Sequence, residues 1–532
     1  MKKISIVWLL VGFTGLAWWL SFPPYNLLPL AWVALIPLLW FLDNVRRPMP
    51  YVFGAACLAF GLGTWWVYRA AWIGAVAGVL ANALYLTWAV GVYGWLQKSI
   101  QKSTKSQPWL LWLAWVSPWL AMEYLHQRID LDFPWMLLGH APANHPEWIQ
   151  YYEWTGVAGG SLWLLSVNFW LYQAILSKPR ALVWSLLWLI IPLFVSWGIF
   201  QNRTDRGPSV NVLAVQPNLD PYTVKFDPQT YEDQMRIFLT CSDSLQGSGL
   251  VVWPETALPD FYVLGPRAPL NPWLDTLQKY VKKRSGMALM AGASVVQWDD
   301  SAYIPYNSAL ALGSLNALDS NGLQESPRLY HKSKLVIGVE KLPYPFVFEA
   351  IARWISVDLG GMTGQLGTQA QRTPLDMGWI KAKVPGSNRV QAVRVRVAPM
   401  ICYESIFGAY GGGFVRNGAN LLAVMTNDGW WGPTDGHRQH LAYARLRCIE
   451  YRRALVRSAN TGISALINER GELLDTLGWE KRGVLQGRLQ LFDEITFYAQ
   501  HGDVIGRLSC VFVVLLGLLY GVRSLMQARS SS

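Results

Sequence analysis

A glutamate, a lysine and a cysteine each end or follow a predicted strand in this sequence, and these three side chains suffice for covalent acyl transfer. The glutamate stands in Trp253-Pro254-Glu255-Thr256, directly after Leu250–Val252. The lysine stands in Tyr330-His331-Lys332, with Glu340 following it. The cysteine stands in Ile401-Cys402-Tyr403-Glu404, directly after Val393–Met400. Strand ends commonly present catalytic groups. Thiolate is the attacking form of cysteine. A neighbouring ammonium lowers the thiol's pKa and stabilises a tetrahedral oxyanion. A carboxylate takes the thiol proton and later serves the incoming nucleophile. Each residue also has an ordinary use: a cysteine ending an apolar strand packs as a small hydrophobe, a glutamate after Trp-Pro caps a turn, and a surface lysine is solvated. Spacing alone does not separate the two readings.

The frame that must hold these residues is segment 201–505, where charges recur and no apolar run reaches membrane-spanning length. Val210–Val215, Leu250–Trp253, Ala288–Ala291, Ser308–Leu312, Val393–Ile401, Leu421–Thr426 and Leu455–Ser458 read as strands, with helices at 229–245, 271–284 and 436–452. Near-continuous apolar strands imply a sheet covered on both faces. The segment suits one large α/β unit.

The rest of the 532 residues belongs to a membrane. Hydrophobic residues make up 52% and charged residues 15%, and the 30 tryptophans suit the two faces of a bilayer. These figures exclude disorder, coiled coil and collagen. Residues 1–200 hold six acids and eleven bases, almost all between apolar runs. Seven spans are predicted, near 4–21, 27–42, 51–68, 72–96, 109–126, 159–177 and 181–200, with an eighth near 506–522; within a bilayer they must be helices. The expected organisation is therefore 1–200 as a transmembrane domain, 201–505 as an outer catalytic domain, and 506–532 as a last span and short tail. Threading eight spans puts Lys2/Lys3, Arg46/Arg47, Lys98/Lys102/Lys105, Lys178/Arg180 and Arg523/Arg529 on one side, and Arg69 and Arg128 on the other. Positive-inside bias predicts cytoplasmic termini and an extracytoplasmic 201–505. The net charge of +11 thus follows membrane topology and implies no nucleic acid. Lys2-Lys3 before an apolar run imitates a secretory signal, but the run is long, Trp-rich and lacks a small-x-small cleavage site.

Other residues carry plainer expectations. His437 and His440 lie three apart on a predicted helix, with no third ligand nearby in sequence, so no metal is expected. Asn427 and Asp428 are expected to shape the loop beside Cys402. Cys57 and Cys510 are packing residues in spans; Cys241 and Cys448 would face an oxidising compartment, and whether they pair is open. Arg69, Glu123 and Arg128 are expected to snorkel at span ends.

The contexts of Glu255, Lys332 and Cys402 resemble the nitrilase (carbon–nitrogen hydrolase) superfamily, whose domain is an αββα sandwich. The flanking spans extend the resemblance, over nearly the whole chain, to the apolipoprotein N-acyltransferase family within it. The matching motifs include Phe22-Pro23-Pro24-Tyr25, Phe133-Pro134-Trp135, Val215-Gln216-Pro217-Asn218, Tyr306-Asn307-Ser308-Ala309, Thr426-Asn427-Asp428-Gly429-Trp430-Trp431-Gly432, Gln439-His440-Leu441 and Asn460-Thr461-Gly462-Ile463-Ser464. The resemblance implies transfer of a fatty acyl chain from a membrane phospholipid, phosphatidylethanolamine foremost, to the α-amine of a lipoprotein's diacylglyceryl cysteine, the last step of bacterial lipoprotein maturation, in the inner membrane and without a cofactor. It makes Glu255 the general base, Lys332 the charge stabiliser, Cys402 the thioester-forming nucleophile and Glu340 a second essential acid. Tyr403 and Glu404 match the pair after the nucleophile, and the Tyr403 N–H is expected as a second oxyanion donor.

The chain departs from the family pattern in places. Ile337-Gly338-Val339-Glu340 replaces Pro-Phe-Gly-Glu, Gly360-Gly361-Met362-Thr363-Gly364 replaces a Gly/Phe/Ser-rich loop, and Phe226 replaces a tryptophan while keeping an aromatic face. These changes bear on donor preference and the acyl channel. A thioester must be shielded from water, which loops 219–228, 259–270 and 345–370 would do, with Phe261, Tyr262, Trp354 and Ile355 dipping into the interface and Asn427 beside the substrate. A monomer is expected. Two other readings compete. A membrane-tethered amidase or nitrilase-type hydrolase of a small amide would use the same triad with water as second nucleophile. A transporter or scaffold would show intramembrane charge pairs or matched broken helices, and the sequence shows neither.

Overall fold

The computed structural model describes residues 2–103, 107–176, 178–203, 207–264, 272–284, 286–299, 302–313, 328–344, 366–387 and 389–530. The chain divides into two compact units: Met1–Gln201 with His501–Ser532, and Asn202–Gln500.

The first unit is helical, with long helices Lys2–Ser21, Met49–Thr64, Trp72–Ser103, Pro108–His126, Val157–Ile175, Pro179–Asn202 and Val504–Ser530. Among the described residues, segments 49–69, 72–102, 179–202 and 504–521 are long and apolar enough to cross a membrane, while 5–21 and 28–44 are shorter. The predicted span 27–42 is not one helix. A 3-10 turn, Leu28–Trp32, precedes an α-helix of only nine residues, Ile36–Asn44. Pro29 and Pro37 lack the N–H that an interior helical position needs and so sit at helix starts. Asn168 from helix Val157–Ile175 mends the break. Its Oδ1 accepts from the Leu35 N–H (2.9 Å) and its Nδ2 donates to the Ala31 carbonyl (2.8 Å). Glu123 does not snorkel either. It is buried, and its Oε1 accepts from Trp119 Nε1 (3.1 Å) and the Leu138 N–H (3.0 Å), which hold it inside the unit.

Among the described residues the second unit contains thirteen strands: β1 Ser209–Gln216, β2 Gly249–Val252, β3 Leu258–Leu264, β4 Met287–Trp298, β5 Tyr303–Leu312, β6 Arg328–His331, β7 Leu375–Lys383, β8 Val390–Ile401, β9 Leu421–Thr426, β10 Leu455–Ala459, β11 Ser464–Ile467, β12 Leu473–Leu477 and β13 Gly483–Gln490. Their order is β12-β11-β10-β9-β8-β7-β1-β2-β4-β5-β6, with β13 beside β1 and β3 beside β4. Among the described residues a single pair, Ser209–Lys383, joins β7 to β1, so two sheet halves meet there.

Period-two alternation decides what each face buries. On β1, Val210, Val212 and Ala214 enter a core shared with β8–β11, whereas Leu213 and Val215 enter another with Met235, Phe238, Leu277 and Val281 of helices Tyr231–Ser242 and Pro272–Lys282. β2, β4 and β5 divide in the same way. Helices Gly408–Arg416 and Asp435–Tyr451 contribute Phe414, Val415, Leu441 and Ala444 on the β8–β10 half. The layers run helix, sheet, sheet, helix. Full burial of each such aliphatic side chain contributes about 1.5–3 kcal/mol.

Candidate functional site

Glu255 is placed by the residues on both sides of it. Trp253 stacks on Phe238 (4.5 Å between centroids) and donates from Nε1 to Ser242 Oγ (2.8 Å), anchoring the strand end. Thr256 turns the chain with φ of 46°. Beneath the turn lies Gly292 of β4, where a Cβ would stand 2.5 Å from the Pro254 carbonyl oxygen and 2.7 Å from the Glu255 Cα. Only glycine permits that approach.

Lys332 follows β6, with its N–H bonded to the Asn307 carbonyl (2.8 Å). Its buried Nζ donates to Glu255 Oε1 (3.0 Å) and Glu340 Oε1 (2.9 Å). Asn307 Nδ2 donates to the same two oxygens, at 2.8 and 3.0 Å. Glu340 Oε2 accepts from the Val336 N–H (2.8 Å), closing the 336–340 turn. The departure from Pro-Phe-Gly-Glu is accommodated there by Gly338, with φ of 78°.

Cys402 follows β8 directly and begins the 3-10 turn Cys402–Ile406 in the left-handed region, φ 49°, a strain of roughly 1–3 kcal/mol for a non-glycine residue. Glu404 is fully buried and joins the cysteine strand to the lysine loop. Oε2 accepts from the Ile401 N–H (2.9 Å), and Oε1 accepts from the Ser333 N–H (2.8 Å), Tyr330 OH (2.8 Å) and Tyr410 OH (2.5 Å). The Tyr403 ring packs edge-on against Phe407.

Electrostatics fix the resting proton positions. Burial pushes the Cys402 thiol well up, and Glu255 adds to this while Lys332 opposes it. Burial also works against the charge on Glu255, but Lys332, Lys225 and the Asn307 amide prevail and hold its carboxyl below the usual range. Burial likewise opposes the charge on Lys332, yet Glu255 and Glu340 hold its ammonium well above the ordinary value. At rest the site holds a thiol, a carboxylate and an ammonium.

Sequence reasoning missed several residues. Lys225 is buried and donates to the Glu255 carbonyl oxygen (2.7 Å); burial lowers its pKa to about 8, with Glu255 and Cys402 opposing. Its one signal was its place beside Phe226 in a proposed shielding loop. Phe226 stacks on Trp430 (6.1 Å), and Asn427, with its amide oxygen turned inward, accepts from Lys225 Nζ and Trp430 Nε1, each at 3.3 Å. Asp428, expected to shape the loop beside Cys402, belongs to a completely buried group whose other members the sequence did not connect to it. His440 Nδ1 lies 2.9 Å from Asp428 Oδ1, Arg457 Nη2 donates to Asp428 Oδ2 (2.5 Å), Ser405 Oγ donates to the Cys402 carbonyl oxygen (2.8 Å), and His440 Nε2 lies 2.9 Å from Ser405 Oγ and 3.0 Å from that carbonyl oxygen. His437 stacks on Trp479 instead, and among the described residues no group of three His, Cys, Asp or Glu side chains could hold a metal.

The lipid-facing expectations fall largely elsewhere. Phe261 and Tyr262 lie in β3, with Tyr262 opposite Val295, but their side chains are outside the described residues, as are Trp354 and Ile355 entirely. Cys241 and Cys448 are both free thiols.

The helix–sheet–sheet–helix unit is that of an enzyme of the carbon–nitrogen hydrolase superfamily: residues 228–497 match the Carbon-nitrogen hydrolase family. Residues 14–170 match the Apolipoprotein N-acyltransferase N-terminal domain. The chain is 30% identical to the apolipoprotein N-acyltransferase of Chlorobaculum tepidum over 96% of both chains, and 26% identical to that of Geobacter metallireducens over 93% of this chain and 92% of the relative. It belongs to the apolipoprotein N-acyltransferase family. Among solved structures it is similar to Saccharomyces cerevisiae Nit3, a nitrilase-superfamily member, at 16% identity and a TM-score of 0.36 over 57% of this chain and 98% of that one.

Proposed function

We propose that this membrane enzyme carries one fatty acyl group from a phospholipid to the α-amine of a diacylglyceryl-cysteine lipoprotein through a thioester on Cys402. The observation that carries the mechanism is the buried Lys332 ammonium held between Glu255 and Glu340. In the first half-reaction Glu255 takes the thiol proton as Sγ attacks the donor's ester carbonyl. Lys332 Nζ and the Tyr403 N–H stabilise the oxyanion. Collapse expels the lysophospholipid alkoxide, which leaves with the proton held by Glu255. In the second half-reaction the lipoprotein amine attacks the thioester, Glu255 takes its proton, the amide forms and the Cys402 thiol is regenerated. Glu340 fixes Lys332, and Phe226 and Asn427 border the acyl-carrying side, with phosphatidylethanolamine as the favoured donor.

Residues 1–200 and the final span then anchor a monomeric enzyme in the inner membrane, with both termini cytoplasmic and the catalytic domain outside, as the lysines and arginines at 46–47, 98–102 and 178–180 support. Bringing a ~16-carbon chain to an anchored site avoids extracting it into water at about 0.8 kcal/mol per CH₂. The deciding assay offers the purified protein phosphatidylethanolamine vesicles with a diacylglyceryl-cysteine peptide, and separately a soluble amide. Peptide acylation with no amide hydrolysis is expected; the reverse would favour the tethered hydrolase.

His440 has a positioning part in this mechanism. A trans peptide points its C=O and N–H in opposite directions, so the Ser405–His440 pair that holds the Cys402 carbonyl also aims the Tyr403 N–H. His440→Ala is expected to lower kcat about 10–100-fold with donor and acceptor KM unchanged, and His440→Gln to recover part of it. A parallel rise in both KM values, or an equal loss in the Gln variant, would count against positioning.

A further inference from the structure

Three helix ends in the membrane unit enclose a groove unconnected with the acyl-transfer residues. It lies between the start of Pro108–His126, the end of Val157–Ile175 and the start of Pro179–Asn202, with a volume of about 730 Å³. Its walls are Trp109, Trp112, Trp170, Trp184 and Trp188, and Lys178 and Arg180 stand at its edge. The indoles are fixed in place: Trp112 lies 5.6 Å from Trp188 and donates to Ser166 Oγ (2.9 Å), and Trp170 lies 5.9 Å from Trp184.

Charge identifies the occupant. Segments 98–122 and 154–202 contain no aspartate or glutamate. Asp43 meets the neighbouring Tyr172 and is engaged by Tyr172 OH (2.7 Å) and Gln97 Nε2 (2.8 Å). Lys178 donates to the neutral amide oxygen of Gln173 (2.6 Å), and among the described residues no acid forms an ion pair with it. Arg180 is exposed in the first turn of a 24-residue helix, whose N-terminal dipole adds to the positive field. Two cations above an aromatic, apolar cleft match an anionic phospholipid, with its phosphate at the edge and an acyl chain among the indoles. Basic pockets between membrane helices bind acidic lipid head groups in this way.

We infer that this groove is a binding site for an anionic phospholipid, held by Lys178 and Arg180 and separate from the acyl donor's site. On the topology proposed above, which places these residues on the cytoplasmic side, the lipid comes from the inner leaflet.

The test uses the full chain in phosphatidylethanolamine vesicles doped with an ether-linked phosphatidylglycerol that carries a photoactivatable group in its alkyl chain. Ether linkage prevents the probe from acting as an acyl donor, so the result is independent of the proposed catalysis. Irradiation is expected to label peptides containing residues 109–112 and 184–188. Unlabelled phosphatidylglycerol should compete several-fold better than phosphatidylethanolamine. Lys178→Ala with Arg180→Ala should cut labelling about tenfold, while Lys98→Ala with Lys102→Ala should leave it unchanged. Equal competition by the two lipids, undiminished labelling in the first double variant, or a cross-linked dimer through the groove would overturn the inference.

Discussion

The Cys402→Ala protein is expected to gain no mass when incubated with phosphatidylethanolamine vesicles, whereas the unaltered chain gains one fatty acyl group that a diacylglyceryl-cysteine peptide then removes. Intact-mass spectrometry reads both steps. Loss of a nucleophile that acts as a unit with its base lowers turnover by on the order of 10⁵–10⁶-fold. Cys402→Ser should fare little better, because its hydroxyl is harder to ionise than a thiol that burial and Glu255 already hold protonated. The other four cysteines, Cys57, Cys241, Cys448 and Cys510, remain in the variant as internal controls. An acyl adduct persisting on Cys402→Ala would move the nucleophile elsewhere.

Lys332→Met is expected to have the next largest effect, a fall in kcat of about 10³-fold, since it removes an oxyanion donor and disturbs the base together. It leaves Glu255 and Glu340 facing each other across Asn307 Nδ2 without the intervening ammonium. Two buried carboxylates so close retain a proton between them. The sign follows from the native state. Glu255 lies below the usual carboxylate range, so its base form is present from acidic pH upward. Without Lys332 its folded pKa rises, and the acid limb of the pH–rate profile should move to higher pH. Lys332→Arg should not rescue, because a planar fork does not replace a compact ammonium between two oxygens. A normal kcat, or an acid limb that stays in place, would contradict the proposed role of Lys332.

The outline of this site was legible because Glu255 and Cys402 follow apolar strands, which announce themselves by composition, and because the motifs around all three residues resemble a known family; Lys332 follows the mixed strand Arg328–His331 and had no such signal of its own. The residues that support them were not. Lys225 reads as one more solvated lysine until the fold buries it under Glu255. Asp428, His440 and Arg457 come from three separate stretches of chain and meet only through tertiary packing. Strand β12, five residues long and largely exposed although three of them are leucine, shows no inside–outside alternation to detect. Helix Gly408–Arg416 contains Gly411-Gly412-Gly413, a run that lowers helix propensity; a Cβ at Gly411 would come within 2.6 Å of the Tyr451 hydroxyl, so packing demands the glycine that propensity disfavours. In the membrane unit, hydropathy found the 27–42 segment but could not show that its prolines divide it.

That division has a bearing on how the protein is made. The amide that completes the backbone bonding of Ala31 and Leu35 belongs to Asn168, 133 residues downstream of Leu35. At ordinary synthesis rates of about 5–20 residues per second, the ribosome reaches it on the order of ten seconds later. Until then the interrupted stretch has no internal partner for those groups and cannot settle in hydrocarbon on its own terms. Folding of this segment is therefore not strictly sequential: its final seating waits for helix Val157–Ile175 to arrive.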